Sequence, residues 1–119
     1  MTWQFSPQRP VSEQLTDRMI HSIVSGELSS EKSIPDFQQF SLEIAVNPNT
    51  VRRVFDQLIE QGLLIRKEDG KLYPSNDAAL LQSFRRSMAL SAVQNFLSSM
   101  RELSYTPDEA AEMIREVIL

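Results

Sequence analysis

Residues 47–62 read NPNTVRRVFDQLIEQG, and this stretch carries the signals of one complete helix. Asn47 can cap the first turn, Pro48 suits the first helical position because no amide donor is needed there, and Gly62 can close the far end. The apolar residues between these ends fall on one stripe at helical spacing: Val51, Val54, Phe55, Leu58 and Ile59. The sequence therefore predicts a helix over 48–61 with one buried face and one exposed face.

The exposed face of this helix is rich in hydrogen-bonding groups. It carries Asn49, Thr50, Arg52, Arg53, Asp56, Gln57 and Glu60. An asparagine can pair with adenine and an arginine with guanine in the DNA major groove. A solvated amphipathic helix would show the same pattern, so the helix alone leaves both interpretations open.

The residues after the helix favour DNA recognition. Residues 63–65 form a short strand-like run, residues 66–70 contain an Asp-Gly turn signal, and residues 71–73 return as a second strand. A helix followed at once by a hairpin with a charged tip is the order of a recognition helix and its wing. We therefore predict a mainly α fold with a small β-hairpin (α+β), in which an N-terminal winged helix-turn-helix precedes a two-helix tail.

The blocks around this helix resemble the GntR family of bacterial transcription regulators. The matching residues are VNPNTV at 46–51, Arg53, Phe55, Leu58, Gly62 and Leu63, and, upstream, Pro10, Val11, Gln14, Leu15 and IVSGEL at 23–28. These blocks occur in the family's order and cover about residues 3–74. The resemblance implies a regulator whose partner is double-stranded operator DNA.

The chain departs from this family at three places. The family usually has an arginine that touches DNA where this chain has Gln38, and it commonly has glycine where Ala45 stands. Its wing is also richer in glycine than residues 67–70. Because a glutamine amide matches the N6 and N7 edge of adenine, we expect Gln38 to favour adenine if it faces DNA.

Two further helices are predicted upstream. Pro10 opens the first helix and Gly26 ends it, while Asp36 is a plausible cap for the second. Trp3 and Phe5 precede them, and we expect both rings to fold back onto the core rather than to insert into DNA.

The tail has more apolar surface than it can cover. Residues 77–103 lack Gly and Pro and would span about 40 Å as a helix, whereas a last helix over 107–119 would span about 20 Å. We expect that last helix to bury Ala110, Met113, Ile114, Val117 and Ile118. The short helix can cover only about half of the apolar stripe on the long helix. A partner chain is the simplest cover for the rest of that stripe, although a monomer packed on its own domain is the alternative.

We therefore predict a DNA-binding domain at 1–76 and a dimerisation tail at 77–119 that forms a homodimer. The predicted dimer interface comprises Leu81, Phe84, Met88, Val93, Phe96, Leu97 and Met100. So short a tail resembles the YtrA-type branch of the family, whose members are typically repressors. No enclosed small-molecule site is evident in so little chain. Phe84, Met88, Phe96 and Met100 could line a groove between protomers that accepts an apolar ligand, but core packing explains these residues better.

Composition excludes several other classes. The 119 residues include one histidine and no cysteine, and no glycine-rich phosphate loop occurs, so we expect neither an enzyme nor a metal or cofactor site. No apolar run approaches the ~20 residues of a membrane span, and the N-terminus lacks a secretion signal. We expect a cytoplasmic protein without membrane contact.

The net charge of −4 opposes DNA binding, although residues 47–74 carry five basic and four acidic residues. The predicted DNA-binding residues are Gln38, Asn47, Asn49, Thr50, Arg52, Arg53, Arg66, Lys67 and Lys71. Two such sites in a dimer would read an inverted repeat with half-sites about 34 Å, or a multiple, apart. The alternative is a winged helix used for protein–protein interaction, with no DNA contact.

Overall fold

The computed structural model describes residues 3–119. Within these residues it contains five helices and one antiparallel hairpin: α1 (Val11–Ser25), α2 (Phe37–Ile44), α3 (Pro48–Glu60), β1 (Leu64–Arg66), β2 (Leu72–Pro74), α4 (Ala78–Glu102) and α5 (Pro107–Ile118). The predicted fold class is confirmed. The chain divides into two units, the first ending at Phe84 and the second running from Arg85 to Leu119. The domain boundary placed between residues 76 and 77 stays a prediction.

The helix ends follow the capping signals of the sequence. The Asp36 side chain accepts a hydrogen bond from the Gln39 amide at 2.9 Å, and the Asn47 side chain accepts one from the Asn49 amide at 2.8 Å. Gly26 closes α1 in the left-handed conformation with φ of 83°. Satisfying these end groups fixes where α2 and α3 begin.

The core of the first unit lies between α1, α2 and α3. Phe40 of α2 meets Phe55 of α3 edge to face at 5.2 Å, and Trp3 meets Phe40 at 5.6 Å. Trp3 and Phe5 pack partly buried against this core, so the prediction that they fold back is confirmed. The buried apolar residues of the core are Leu15, Met19, Ile23, Ile34, Phe40, Ile44, Val51, Val54, Phe55, Leu58, Leu63, Leu64 and Leu72.

The hairpin is anchored by a contact that the sequence did not predict. Arg66 lies opposite Leu72 in the strand register, and each strand begins one residue later than predicted. Ile34, just before α2, forms an additional antiparallel bridge to Leu72, and its amide donates to the Leu72 carbonyl at 2.9 Å. This bridge ties the segment before α2 to the hairpin and sets the hairpin beside α3.

The second unit comprises the later part of α4 and the whole of α5. Thr106 and Glu109 form the predicted capping box, with hydrogen bonds of 3.2 and 3.0 Å between side chains and amides. The expected buried stripe of α5 is only partly present in the single chain. Ala110 is buried and Met113 is half-buried, but Ile114, Val117 and Ile118 are 45%, 86% and 74% exposed, so the prediction is wrong for these three. A unit of two helices has no third element to cover that face.

Among residues 3–119 no helix is both long enough and apolar enough to cross a membrane.

Candidate nucleic-acid interface

The predicted DNA-facing residues all belong to the first unit, and nearly all are exposed. Gln38 lies in the first turn of α2, and Asn49, Arg52 and Arg53 lie in the first half of α3. Thr50 is half-buried. The polar face of α3 is therefore uncovered in the described chain, as a helix that enters a groove of DNA must be.

A groove of about 620 Å³ separates α3 from the hairpin. Arg52 lines it from α3, while Arg66 and Lys71 line it from the hairpin. Three of the predicted basic residues are thus brought together. The groove also contains carboxylates that sequence reasoning did not place there: Asp36, Asp56 and Asp69. Its lining is consequently mixed in charge rather than strongly basic.

Other predicted residues lie elsewhere on the surface. Arg53 lines a separate shallow groove with Ser12 of α1 and Glu60 of α3. Asn47 and Thr50 border an apolar groove beside the N-terminal segment. The adjacent arginines of α3 therefore point to different sides of the helix, a consequence of the 100° between successive helical residues.

Several predicted side chains already have intramolecular partners. Asn47 caps α3, as described above. Arg66 donates from Nη1 to the Gly70 carbonyl at 2.8 Å, and the Lys67 ammonium lies 4.2 Å from the centre of the Tyr73 ring. Lys71 forms no ion pair among residues 3–119. Of the wing cations, Lys71 is therefore the one left without such a contact.

The hairpin tip is organised by Asp69. Its carboxylate accepts hydrogen bonds from the Tyr73 hydroxyl at 2.6 Å and from the Lys71 amide at 2.9 Å. These bonds, the Tyr73 bond first, lower the pKa of Asp69, and the same bond raises the pKa of Tyr73 because it favours the protonated phenol. The sequence shows the carboxylate at the tip, but its hydrogen bond to Tyr73 could not be inferred from the Asp-Gly turn signal.

The predicted dimer residues divide between the two units. Leu81 and Phe84 are half-buried against the core of the first unit. Within the second unit Met88, Leu97 and Met100 are half-buried, whereas Val93 and Phe96 are 52% and 36% exposed. The exposed members of this set are the ones available to a partner.

The order of these elements matches a known family. The family model described as "Bacterial regulatory proteins, gntR family" matches residues 11–71, from the first residue of α1 to the end of the hairpin turn. The chain belongs to the gntR family. This is a family of transcription regulators, and the resemblance seen in the sequence is confirmed at that level.

Individual proteins extend the gntR likeness over nearly the whole chain. The HTH-type transcriptional regulator YhcF of Bacillus subtilis (strain 168) is 22% identical over 112 residues, which cover 94% of this chain and 93% of that protein. A GntR family transcriptional regulator from Listeria monocytogenes superposes with a TM-score of 0.81 at 19% identity, over 94% of this chain and 98% of that one.

A third likeness covers less of the chain. The AraR DNA-binding domain, solved in complex with the operator ORX1, matches with a TM-score of 0.52 at 20% identity. It covers 63% of this chain and 95% of the AraR domain. At 19% and 20% identity, the Listeria monocytogenes and AraR structures show a fold shared with this chain.

Proposed function

We propose that this gntR-family protein binds operator DNA as a homodimer, with α3 in the major groove and the hairpin on the backbone or minor groove. The observation that carries the proposal is the uncovered polar face of α3 beside a groove that Arg52 shares with Arg66 and Lys71. The AraR domain, which has the same fold, was solved on an operator.

Electrostatic attraction alone does not account for this function. The chain has a net charge of −4, and carboxylates line the groove next to the bases. Affinity must therefore come from local placement of a few cations, from hydrogen bonds to bases, and from using two copies of the site.

The apolar surface of the second unit supports the homodimer. Leu90 and Val93 on α4 and Ile114 and Val117 on α5 are between 45% and 86% exposed. A self-complementary contact between two copies would bury this surface. Two-fold symmetry predicts an inverted-repeat operator with half-sites about 34 Å, or a multiple, apart.

We propose the branch and the regulatory role from the elements that follow the wing. These are the two helices α4 and α5, which support the YtrA-type branch and, with it, action as a repressor in the bacterial cytoplasm, where the DNA lies. A reporter gene placed under an operator that the purified protein retains from genomic DNA should rise in expression when this protein is removed. A fall in expression would contradict repression.

Arginine removal tests the proposed interface. Fragments of genomic DNA that the purified protein retains should contain the inverted repeat, and Arg52→Ala should weaken binding to it by about 1–3 kcal/mol. Arg101→Ala removes the same charge from the end of α4 and should leave affinity near that of the parent. Equal affinities for Arg52→Ala and the parent, measured by fluorescence anisotropy, would contradict the placement of α3.

A further inference from the structure

Arg52 rests on an aromatic ring rather than on a carboxylate. Its guanidinium carbon lies 5.8 Å from the centre of the Phe37 ring, within the range of a cation–π contact. Asp56 follows Arg52 by one helical turn, where an ion pair would ordinarily form. No such ion pair is present among residues 3–119, and the Phe37 ring is the group that the Arg52 guanidinium contacts.

The ring is itself held firmly by its surroundings. Phe37 is the first residue of α2, directly after the Asp36 cap, and it packs half-buried against the core. Three residues later on the same helix, Phe40 packs on Phe55 of α3. Arg52 and Phe55 are likewise three residues apart, so two successive turns of α2 contact two successive turns of α3.

This contact leaves the hydrogen-bonding edge of Arg52 free. A carboxylate partner would occupy guanidinium donors, whereas an aromatic ring offers no conventional acceptor, and the Arg52 side chain donates no hydrogen bond within residues 3–119. An arginine side chain otherwise loses rotamer entropy when it is fixed. A ring that restricts Arg52 before DNA arrives removes part of that cost.

We propose that Phe37 is a positioning residue for DNA recognition: it orients the Arg52 guanidinium toward the groove between α3 and the hairpin and so raises operator affinity without touching DNA. The inference rests on the proposed function, because it requires Arg52 to contact DNA. It assigns to the first turn of α2 a role separate from that of Gln38, which lies beside Phe37 in sequence.

A double-mutant cycle tests the proposal. Phe37→Leu should weaken binding to the selected operator about two- to five-fold, whereas Phe37→Tyr, which keeps the aromatic face, should bind like the parent. In an Arg52→Ala background the Leu and Tyr variants should bind equally. Equal weakening by Phe37→Leu in both backgrounds, or no weakening in either, would overturn the proposal.

Fluorinated phenylalanines at position 37 control for a change in packing that Phe37→Leu could cause. Adding one, two and three fluorine atoms weakens the negative electrostatic potential of the ring face step by step while nearly keeping the shape of the ring. Affinity should fall stepwise along this series and stay flat in the Arg52→Ala background. A flat series on the parent would overturn the proposal even if Phe37→Leu did not fold.

An NMR measurement without DNA tests the contact between Phe37 and Arg52 separately from DNA binding. In the parent, the ring current of Phe37 should shift the Arg52 Nε–H resonance, and the shift should disappear in Phe37→Leu. If the parent bound no DNA, the proposed function would fail and the positioning role with it. If the parent bound the operator but the cycle showed no coupling, the inference alone would fail.

Discussion

Arg52 and Arg53 are neighbours in sequence, yet they have different surroundings in the structure. Arg52 lines the groove shared with the hairpin, while Arg53 lies with Ser12 and Glu60 on the α1 side. Sequence reasoning grouped the two because both lie on the polar face of one helix. Separating them requires knowing which elements flank α3, and this depends on tertiary packing rather than on helical period.

Tyr73→Phe should raise the pKa of Asp69 toward its ordinary value, because the variant removes the shortest hydrogen bond to that carboxylate. An NMR titration of the Asp69 carboxyl carbon checks this. Because the pKa is lowered in the folded chain, the ionised carboxylate stabilises the hairpin at neutral pH, and this contribution is lost as the pH falls through that pKa. An unchanged pKa in Tyr73→Phe would contradict the assignment.

Two wing lysines should differ in their effect on DNA binding. Lys71→Ala should weaken binding to all DNA sequences alike and reduce the slope of log K against log salt by about 0.9, since one phosphate contact is lost. Lys67→Ala should change the slope less, because the Lys67 ammonium already lies on the Tyr73 ring. Equal slopes for Lys71→Ala and the parent would contradict the contact.

Local signals at the scale of single elements predicted the helices well. The side chains of Asp36, Asn47 and Thr106 each accept a hydrogen bond from an amide two or three residues later, so the local sequence is sufficient to place these helix starts. The bridge between Ile34 and Leu72 joins residues 38 positions apart, and nothing in the neighbourhood of either residue indicates it. Ile34 and Leu72 both line the groove of the candidate site, so local sequence signals could not predict its lining.

The turn between α2 and α3 contains a strained residue. Ala45 is exposed and has φ of 56°, in the left-handed region that disfavours residues with a Cβ. Ala45→Gly should stabilise the first unit by about 0.5–1 kcal/mol, because relief of this strain exceeds the added entropy of the unfolded chain. Urea unfolding measures the change.

Ala89→Gly provides the matched control for that prediction. Ala89 is exposed inside α4, where glycine costs about 0.5–1 kcal/mol relative to alanine. The two substitutions are chemically identical and should have opposite signs. A loss of stability in Ala45→Gly would show that the turn gains more from the stiffer residue than it loses to strain.

At the scale of the whole molecule, the tail is the part of the chain with the most apolar surface left exposed, and a partner would be needed to cover it. Helical period correctly indicated more apolar surface than two helices can cover, but not which residues remain outside: Val117 and Ile118 were expected to be buried. Burial in an assembly depends on the second copy, which one sequence does not specify. The proposal of a homodimer therefore rests on the exposed apolar side chains of the tail.

Phe96→Asp should prevent dimer formation, because it places a charge in an apolar seam that has no partner for it. Sedimentation equilibrium should report a mass of 13.6 kDa for the variant and twice that mass for the parent. Ser98→Asp adds the same charge at an exposed polar position of the same helix and should stay dimeric. A dimeric Phe96→Asp variant would place the interface elsewhere.

We propose that the polar face of α3 lies in the major groove in two symmetric copies, and DNA cleavage from that face can locate it directly. The chain has no cysteine, so Asp56→Cys provides a single attachment point for an iron chelate on that face, and His21→Cys on α1 provides an exposed control. Bound to the operator, the Asp56→Cys conjugate should cut both strands at two centres about 34 Å, or a multiple, apart. Scattered or absent cleavage from position 56, no stronger than from position 21, would contradict the claim.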